Sequence, residues 1–396
     1  METREGVLMP ERKRVLVTFK PKDKRRRKAD KTEVFMSTVD EGFEVKAAAT
    51  MGPPTDHGVV YDVNEYRAPI LVADLTDEQI AALEKAADVA TVEEDGEMYA
   101  FGPQLAVEGE PSLDEETIPS GINLIKAPPA WPCSEGKAIK VAVLDTGIDY
   151  SHPDLAVNYR GGASFVADES DPMDYNGHGT HCAGTIAAAF TGAGVVGVAP
   201  SAYLIAAKVL SRSGRGAWSN LIAGIDYAVN DRGARILSMS LGAAAAPTAV
   251  EAMCTMAWEK GALLIAAAGN AAGPVGAPAA YESVMAVSAI DDQGSLASFS
   301  NRGPEVELCA PGVQVLSTAP GGGYRRLSGT SMACPHVAGA AAVAWGAHRW
   351  ASNEEIRSLL TWRADLMGRI ERTEEFGWGR VDAEAAACEL ERPPVS

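Results

Sequence analysis

The sequence predicts an α/β protein: a doubly wound, mostly parallel sheet with helices on both faces, preceded by a small α+β domain. Three observations lead there. The chain has 396 residues, long for a single domain and suited to two. From about residue 116, apolar strand-like runs alternate with helical stretches, the pattern of a parallel sheet whose crossovers are helices. Between the two regions, residues 101–114 are rich in Gly, Pro, Gln and Glu and read as a linker.

In the first region, residues 13–19 (Lys-Arg-Val-Leu-Val-Thr-Phe) read as a strand, and residues 58–62 and 68–73 as two more. Thr76 is placed to cap a helix with Glu78 and Gln79 in its first turn, and Ile80, Leu83 and Ala87 fall on one face. Residues 89–92 return as a strand, and the unit closes near residue 100. In the second region, strands are expected at 140–144, 203–210, 234–240, 262–268 and 284–289. A helix is expected at 218–231 and a long one from Ser331.

Composition narrows the function classes. With 46% hydrophobic residues the chain can bury a substantial core. A formal net charge of −18 argues against nucleic acid as a partner. The charge is uneven: residues 1–32 hold 12 Lys+Arg against 5 Asp+Glu. The run Lys24-Arg25-Arg26-Arg27-Lys28 reads as a solvated loop, with a nucleic-acid or anionic-surface contact as the alternative. No apolar run approaches the ~20 residues that span a bilayer. Residues 1–19 lack the roughly 7–15-residue apolar segment of a secretory signal. The expectation is therefore a cytoplasmic protein without membrane contact, or a secreted one whose leader was removed. Six cysteines (133, 182, 254, 309, 334, 388) show no paired metal spacing. Cys182, Cys309 and Cys334 stand among small or apolar residues, as thiols that pack like small hydrophobes do; one disulfide stays open.

Ligands of an open parallel sheet gather at the carboxyl ends of its strands. Asp145 stands there, after Val-Ala-Val-Leu and before Thr146-Gly147. His178 lies in Asn176-Gly177-His178-Gly179-Thr180-His181-Cys182, where small neighbours let a substrate backbone approach. Ser331 lies in Ser328-Gly329-Thr330-Ser331-Met332-Ala333-Cys334-Pro335-His336, at a helix start. Pro335 is tolerated there because the first turn needs few backbone donors. Taken singly, these are a turn aspartate, a glycine-rich helix start and an N-cap serine. Together they hold a nucleophile, a base that titrates near neutrality and a carboxylate to orient it.

In this order and spacing, Asp-Thr-Gly, His-Gly-Thr-His and Gly-Thr-Ser-Met-Ala-x-Pro-His resemble the subtilisin-like serine proteases, over residues 115–390. The resemblance implies a serine endopeptidase with Asp145, His178 and Ser331 as its triad. It implies Asn270 as the side-chain donor of an oxyanion hole, beside the Ser331 backbone N–H. It places a substrate groove along Gly214, Gly216, Trp218, Ser240, Leu241, Gly242, Ala267, Gly269 and Gly276. The small residues among them, Ser240 to Gly242, Ala267 to Gly269 and Gly276, predict a roomy apolar pocket for a large hydrophobic residue before the cut bond. Trp218 walls a second pocket or packs in the core. Cys182, one helical turn after His178, resembles the cysteine of the proteinase K-like variant and implies sensitivity to mercurials. A peptide ligase on the same scaffold and a catalytically dead binding module are the competing readings.

The resemblance also implies structural calcium, held by Glu116, Asp154, Thr191 and the carbonyls of Ala189, Ala193 and Val195. A weaker cation site near Ala279, Tyr281, Glu305 and Glu307 is the second expectation, with plain surface acids as the simpler reading. Residues 1–100 resemble the family's inhibitor-like propeptide, most clearly at 75–80 and 89–93. That implies a self-processing zymogen whose residues 97–101 lie in the groove, with cleavage within 99–115. The partners implied are protein and peptide substrates and the chain's own N-terminal domain, on a monomer.

Overall fold

The computed structural model describes residues 11–20, 61–62, 70–101 and 113–389. The chain divides into two compact units, residues 1–96 and 97–396. In the first, β1 (Lys13–Phe19), β2 (Tyr61–Asp62), β3 (Ile70–Leu75) and β4 (Val89–Glu94) form an antiparallel sheet of order β2-β3-β1-β4. The helix α1 (Asp77–Glu84) joins β3 to β4. The Thr76 hydroxyl accepts from the Gln79 N–H, and the Gln79 side chain accepts from the Thr76 N–H. Each satisfies a donor that a helix start leaves open. Val15, Val17, Phe19, Leu71, Ala73, Leu75 and Leu83 form this unit's core. β3 ends two residues later than expected. Residues 58–60 and 68–69, the start of two expected strands, lie outside the described residues.

The second unit begins with β5 (Glu97–Ala100) and β6 (Glu116–Thr117). Then come β7 (Lys140–Asp145), β8 (Tyr159–Ser164), β9 (Gly194–Val195), β10 (Tyr203–Lys208) and β11 (Arg215–Ala217). They are followed by β12 (Ile236–Met239), β13 (Leu241–Gly242), β14 (Leu263–Ala267), β15 (Val284–Ile290) and β16 (Val306–Pro311). Its longer helices are α2 (His178–Ala187), α3 (Trp218–Asp226), α4 (Thr248–Glu259), α5 (Thr330–Ala347) and α6 (Asn353–Trp362). The helix expected at 218–231 is α-helical only to Asp226 and ends in a π turn, Tyr227–Asp231.

Seven strands pair in parallel in the order β16-β15-β14-β12-β7-β10-β8. Helices α2 and α5 pack together on one face, and α3 and α4 on the other. β14 and β15 are buried at every position, as strands covered on both faces are. The winding reverses beside β7, because β10 and β8 lie on one side of it and β12, β14, β15 and β16 on the other. A ligand crevice opens at such a reversal, at the carboxyl ends of the strands. Asp145 is the last residue of β7.

The α5 helix runs through the core with residues 330–345 buried, which is why its sequence is apolar all round. It starts one residue before Ser331, and Pro335 lies beyond the first turn. The N–H that proline lacks would have gone to the Ser331 carbonyl. That carbonyl accepts instead from Ser240 Oγ at 2.9 Å and from Cys182 Sγ at 3.4 Å. Cys133 and Cys388 form a disulfide that joins two segments 255 residues apart, and the other four cysteines are buried free thiols. Closing so long a loop contributes about 2–5 kcal/mol. Among the described residues, no helix is long and apolar enough to cross a membrane.

Candidate active site

The crevice brings Asp145, His178 and Ser331 together, all buried. His178 opens α2, and its Nδ1 lies 2.8 Å from Asp145 Oδ1. The close approach depends on Gly179, where a Cβ would stand 2.1 Å from the Gly147 carbonyl oxygen. A second carboxylate, Asp174, fixes the segment that carries His178. It accepts from the Thr146 hydroxyl and from the N–H groups of Asn176, Gly177 and Thr180. Thr146 Oγ1 accepts in turn from the Gly179 N–H. Residues beside both Asp145 and His178 are thus tied through one buried acid, which sequence reasoning did not single out.

Burial, the largest influence on His178, works against its charged form. The charge of Asp145 and its hydrogen bond work the other way, helped by Asp174, and the net pKa is raised above 6.5. His181 and His336 lack such a neighbour, and burial lowers them to about 3 and about 4. His178 Nε2 has no hydrogen-bond partner. The Ser331 hydroxyl points elsewhere, donating toward the Ser240 and Phe101 carbonyls, each at 3.1 Å.

The Phe101 carbonyl belongs to this chain. β5 lies antiparallel between β11 and β13, with Tyr99 opposite both Arg215 and Gly242, Met98 opposite Gly216, and Ala100 opposite Leu241. The Ala100 N–H donates to the Gly214 carbonyl at 2.9 Å. This is strand addition to an exposed edge. At its end the Phe101 oxygen meets Ser331 Oγ at 3.1 Å and Asn270 Nδ2 at 3.4 Å. The Asn270 amide is oriented by Thr330, whose N–H and hydroxyl both donate to its Oδ1, at 2.9 and 2.8 Å. With two donors on the oxygen, the amide N–H₂ faces the Phe101 carbonyl.

Among the residues expected in the groove, Gly214, Gly216, Leu241 and Gly242 flank β5. The Phe101 ring packs against Gly242, where a Cβ would stand 2.8 Å from its Cζ. Ser240 instead holds the Ser331 segment through both its carbonyl and its hydroxyl. Ala267 is fully buried in β14, and the Gly269 N–H donates to Thr330. The cavity beside Phe101 is walled by Gly276 and Asn270 together with Ala243, Ala244, Ala271 and Asn301, the last four missed by sequence reasoning. Trp218 is 1% exposed, at the start of α3.

Asp154, also buried, accepts from Thr191 Oγ1 at 3.0 Å and the Val195 N–H at 3.0 Å. Glu116 accepts from the Thr191 and Gly192 N–H groups, and Thr191 Oγ1 also donates to the Ala193 carbonyl. β6 and β9 pair in parallel beside this loop. The residues expected to hold a cation therefore surround one loop, and the hydrogen bonds to buried Asp154 come from neutral donors. At the weaker site, Glu307 is ion-paired with Arg357 instead. Among the described residues, the only set of three titratable groups with converging ligand atoms is Asp145, His178 and Cys182, all within 4.8 Å of one another.

A family model described as the subtilase family matches residues 136–379. The chain is 43% identical to the alkaline protease of Shouchella clausii over 320 residues, 80% of this chain and 79% of that protein. It is 42% identical to subtilisin E of Bacillus subtilis (strain 168) over 322 residues, 80% of each. Identity to the alkaline elastase YaB of Bacillus sp. (strain YaB) is 43% over 320 residues.

Proposed function

The chain belongs to the subtilase family and is a subtilisin-like serine protease acting on protein and peptide substrates; we propose that Asp145, His178 and Ser331 are its catalytic triad and that its first substrate is its own chain, cut after Phe101. The supporting observation is the Phe101 carbonyl, within reach of Ser331 Oγ and Asn270 Nδ2 at once. Ser331 turns its hydroxyl from the carbonyl oxygen to His178 Nε2, which takes the proton as Oγ bonds to the Phe101 carbonyl carbon. Charge then grows on the Phe101 oxygen. Asn270, held by Thr330, donates to it, with the Ser331 backbone N–H as the second donor. Loss of that asparagine donor in subtilisin costs about 10²–10³ in kcat. His178 returns its proton to the leaving amine, and water repeats the sequence on the acyl-enzyme. Asp145 keeps the imidazole in the required tautomer throughout.

The seat of the Phe101 ring sets the specificity. Its walls are glycine and alanine, with Asn270 and Asn301 as the polar groups, so a large apolar side chain before the cut bond is favoured. A peptide library should be cut mainly after Phe, Tyr, Leu or Met. Cleavage dominated by Arg, Lys or Asp at that position, or no cleavage, would refute this reading.

Calcium is the cation that suits the loop of Asp154, Glu116 and Thr191. These residues supply oxygen donors of mixed type, which calcium accepts in flexible geometry. Asp154 and Glu116 would hold it through carboxylates, with Thr191 and the carbonyls of Ala189, Ala193 and Val195 completing the shell. Calcium would supply no chemistry to the reaction, only stiffness to this loop. A chelator should lower the melting temperature by several degrees, and calcium should restore it; an unmoved transition contradicts the assignment. The disulfide favours oxidising surroundings, which turns the expectation of compartment away from the cytoplasm.

A further inference from the structure

We propose that Arg215 selects substrates by charge, favouring an acidic residue four positions before the residue whose carbonyl is attacked, with an aromatic residue between them. This rests on the protease reading and names the substrates of that same groove. The geometry is that of a β-ladder. Side chains alternate across a strand, so Glu97 and Tyr99 share one face of β5 and Met98 and Ala100 the other. Met98 is fully buried, whereas Tyr99 is 39% exposed. Tyr99 lies directly opposite Arg215. On that outer face the Arg215 guanidinium lies 5.4 Å from the centre of the Tyr99 ring and 3.6 Å from the Glu97 carboxylate. The Tyr99 hydroxyl donates to Glu97 Oε2 at 2.9 Å.

Three side chains thus form one contact, and only Arg215 belongs to the groove wall. The rest of β5 is held by backbone bonds that any sequence can make, and by apolar burial at Met98 and Phe101. Arg215 therefore adds a charge term where backbone pairing is indifferent. The pair is exposed, so its contribution is modest, at most about five-fold in affinity, and salt screens it. A cation in place of Glu97 would meet the guanidinium at the same position.

The test compares kcat/KM for two internally quenched peptides, Glu-Met-Tyr-Ala-Phe-Gly-Pro-Gln and its Lys-Met-Tyr-Ala-Phe-Gly-Pro-Gln counterpart. At low ionic strength the processed enzyme should prefer the glutamate peptide about two- to five-fold, and the preference should fade at 1 M salt, where the Debye length is about 3 Å. R215Q should bring the ratio close to one and R215E should invert it. Each ratio is internal to one variant, so a change in overall activity does not disturb it. If both peptides are cut with a ratio that neither substitution moves, the inference fails while the protease reading stands. If neither peptide is cut, the protease reading falls and the inference with it.

Discussion

Ser331→Ala is expected to leave the chain at full length, while the wild type incubated alike yields a fragment that begins at Gly102. The structure makes this test sharp because it names one bond. Ser331 Oγ and Asn270 Nδ2 converge on the Phe101 oxygen, just past the end of β5, and on no carbonyl of β5 itself. Without the hydroxyl there is no nucleophile to form the acyl-enzyme, although the Asn270 donor remains. Loss of the serine alone costs about 10⁶ in kcat in subtilisin, enough to take self-cleavage beyond any practical incubation. Intact-mass measurement reads both outcomes. A variant trimmed at the same bond in pure solution would mean that another group does the cutting. A wild type cut only downstream of Leu113 would mean that Phe101 occupies the groove without being the processed residue.

Asp145→Asn is expected to lower kcat about 10⁴-fold, the size of effect found for this replacement in a serine protease of unrelated fold. It should also move the acid limb of the rate profile to lower pH. His178 acts as a base only when neutral, so activity is lost as pH falls through its pKa. Burial pushes that pKa down, and the Asp145 charge and hydrogen bond push it up by more, leaving it above 6.5. Removing the charge leaves burial in command, with Asp174 a weaker counterweight. The residual activity should therefore persist to a lower pH than that of the wild type. An acid limb that stays in place would show that Asp145 does not set the ionisation of His178. Because the Asn amide N–H₂ can donate where Asp only accepts, Nδ1 can take that bond and leave the proton on Nε2, the wrong tautomer, and this accounts for the loss in height.

Much of this site was legible along the chain. Asp145 was recognisable because an apolar run followed by Asp-Thr-Gly marks a strand end, and His178 and Ser331 because glycine-rich segments precede apolar helices. The Thr76 and Gln79 cap was recognisable for the same reason: donor and acceptor stand three residues apart, within one turn. Patterns of this kind involve near neighbours, and near neighbours are what a sequence lists. Thr330 stood in the motif beside Ser331, yet its task of aiming the Asn270 amide depends on a strand end far away in the chain.

The remainder was decided by tertiary approach. The seven-strand order put the reversal beside β7, and only that order makes Asp145 a crevice residue. The family resemblance put residues 97–101 in the groove, but β5's partners, β11 and β13, were set by backbone pairing, which leaves no periodic trace in a four-residue segment. The same contact brought Glu97 and Tyr99 to Arg215 and seated Phe101 against Gly242. Cys133 and Cys388 sit 255 residues apart, so no spacing rule pairs them. Pro335 looked tolerable on local grounds. What makes it so is a carbonyl taken over by Ser240 and Cys182, from a strand end and a helix distant in the chain. Sequence by itself singled out the groups proposed to carry the chemistry, because residue types and short spacings encode it. Tertiary structure decided what those groups face, because that depends on which distant backbones come within hydrogen-bonding reach.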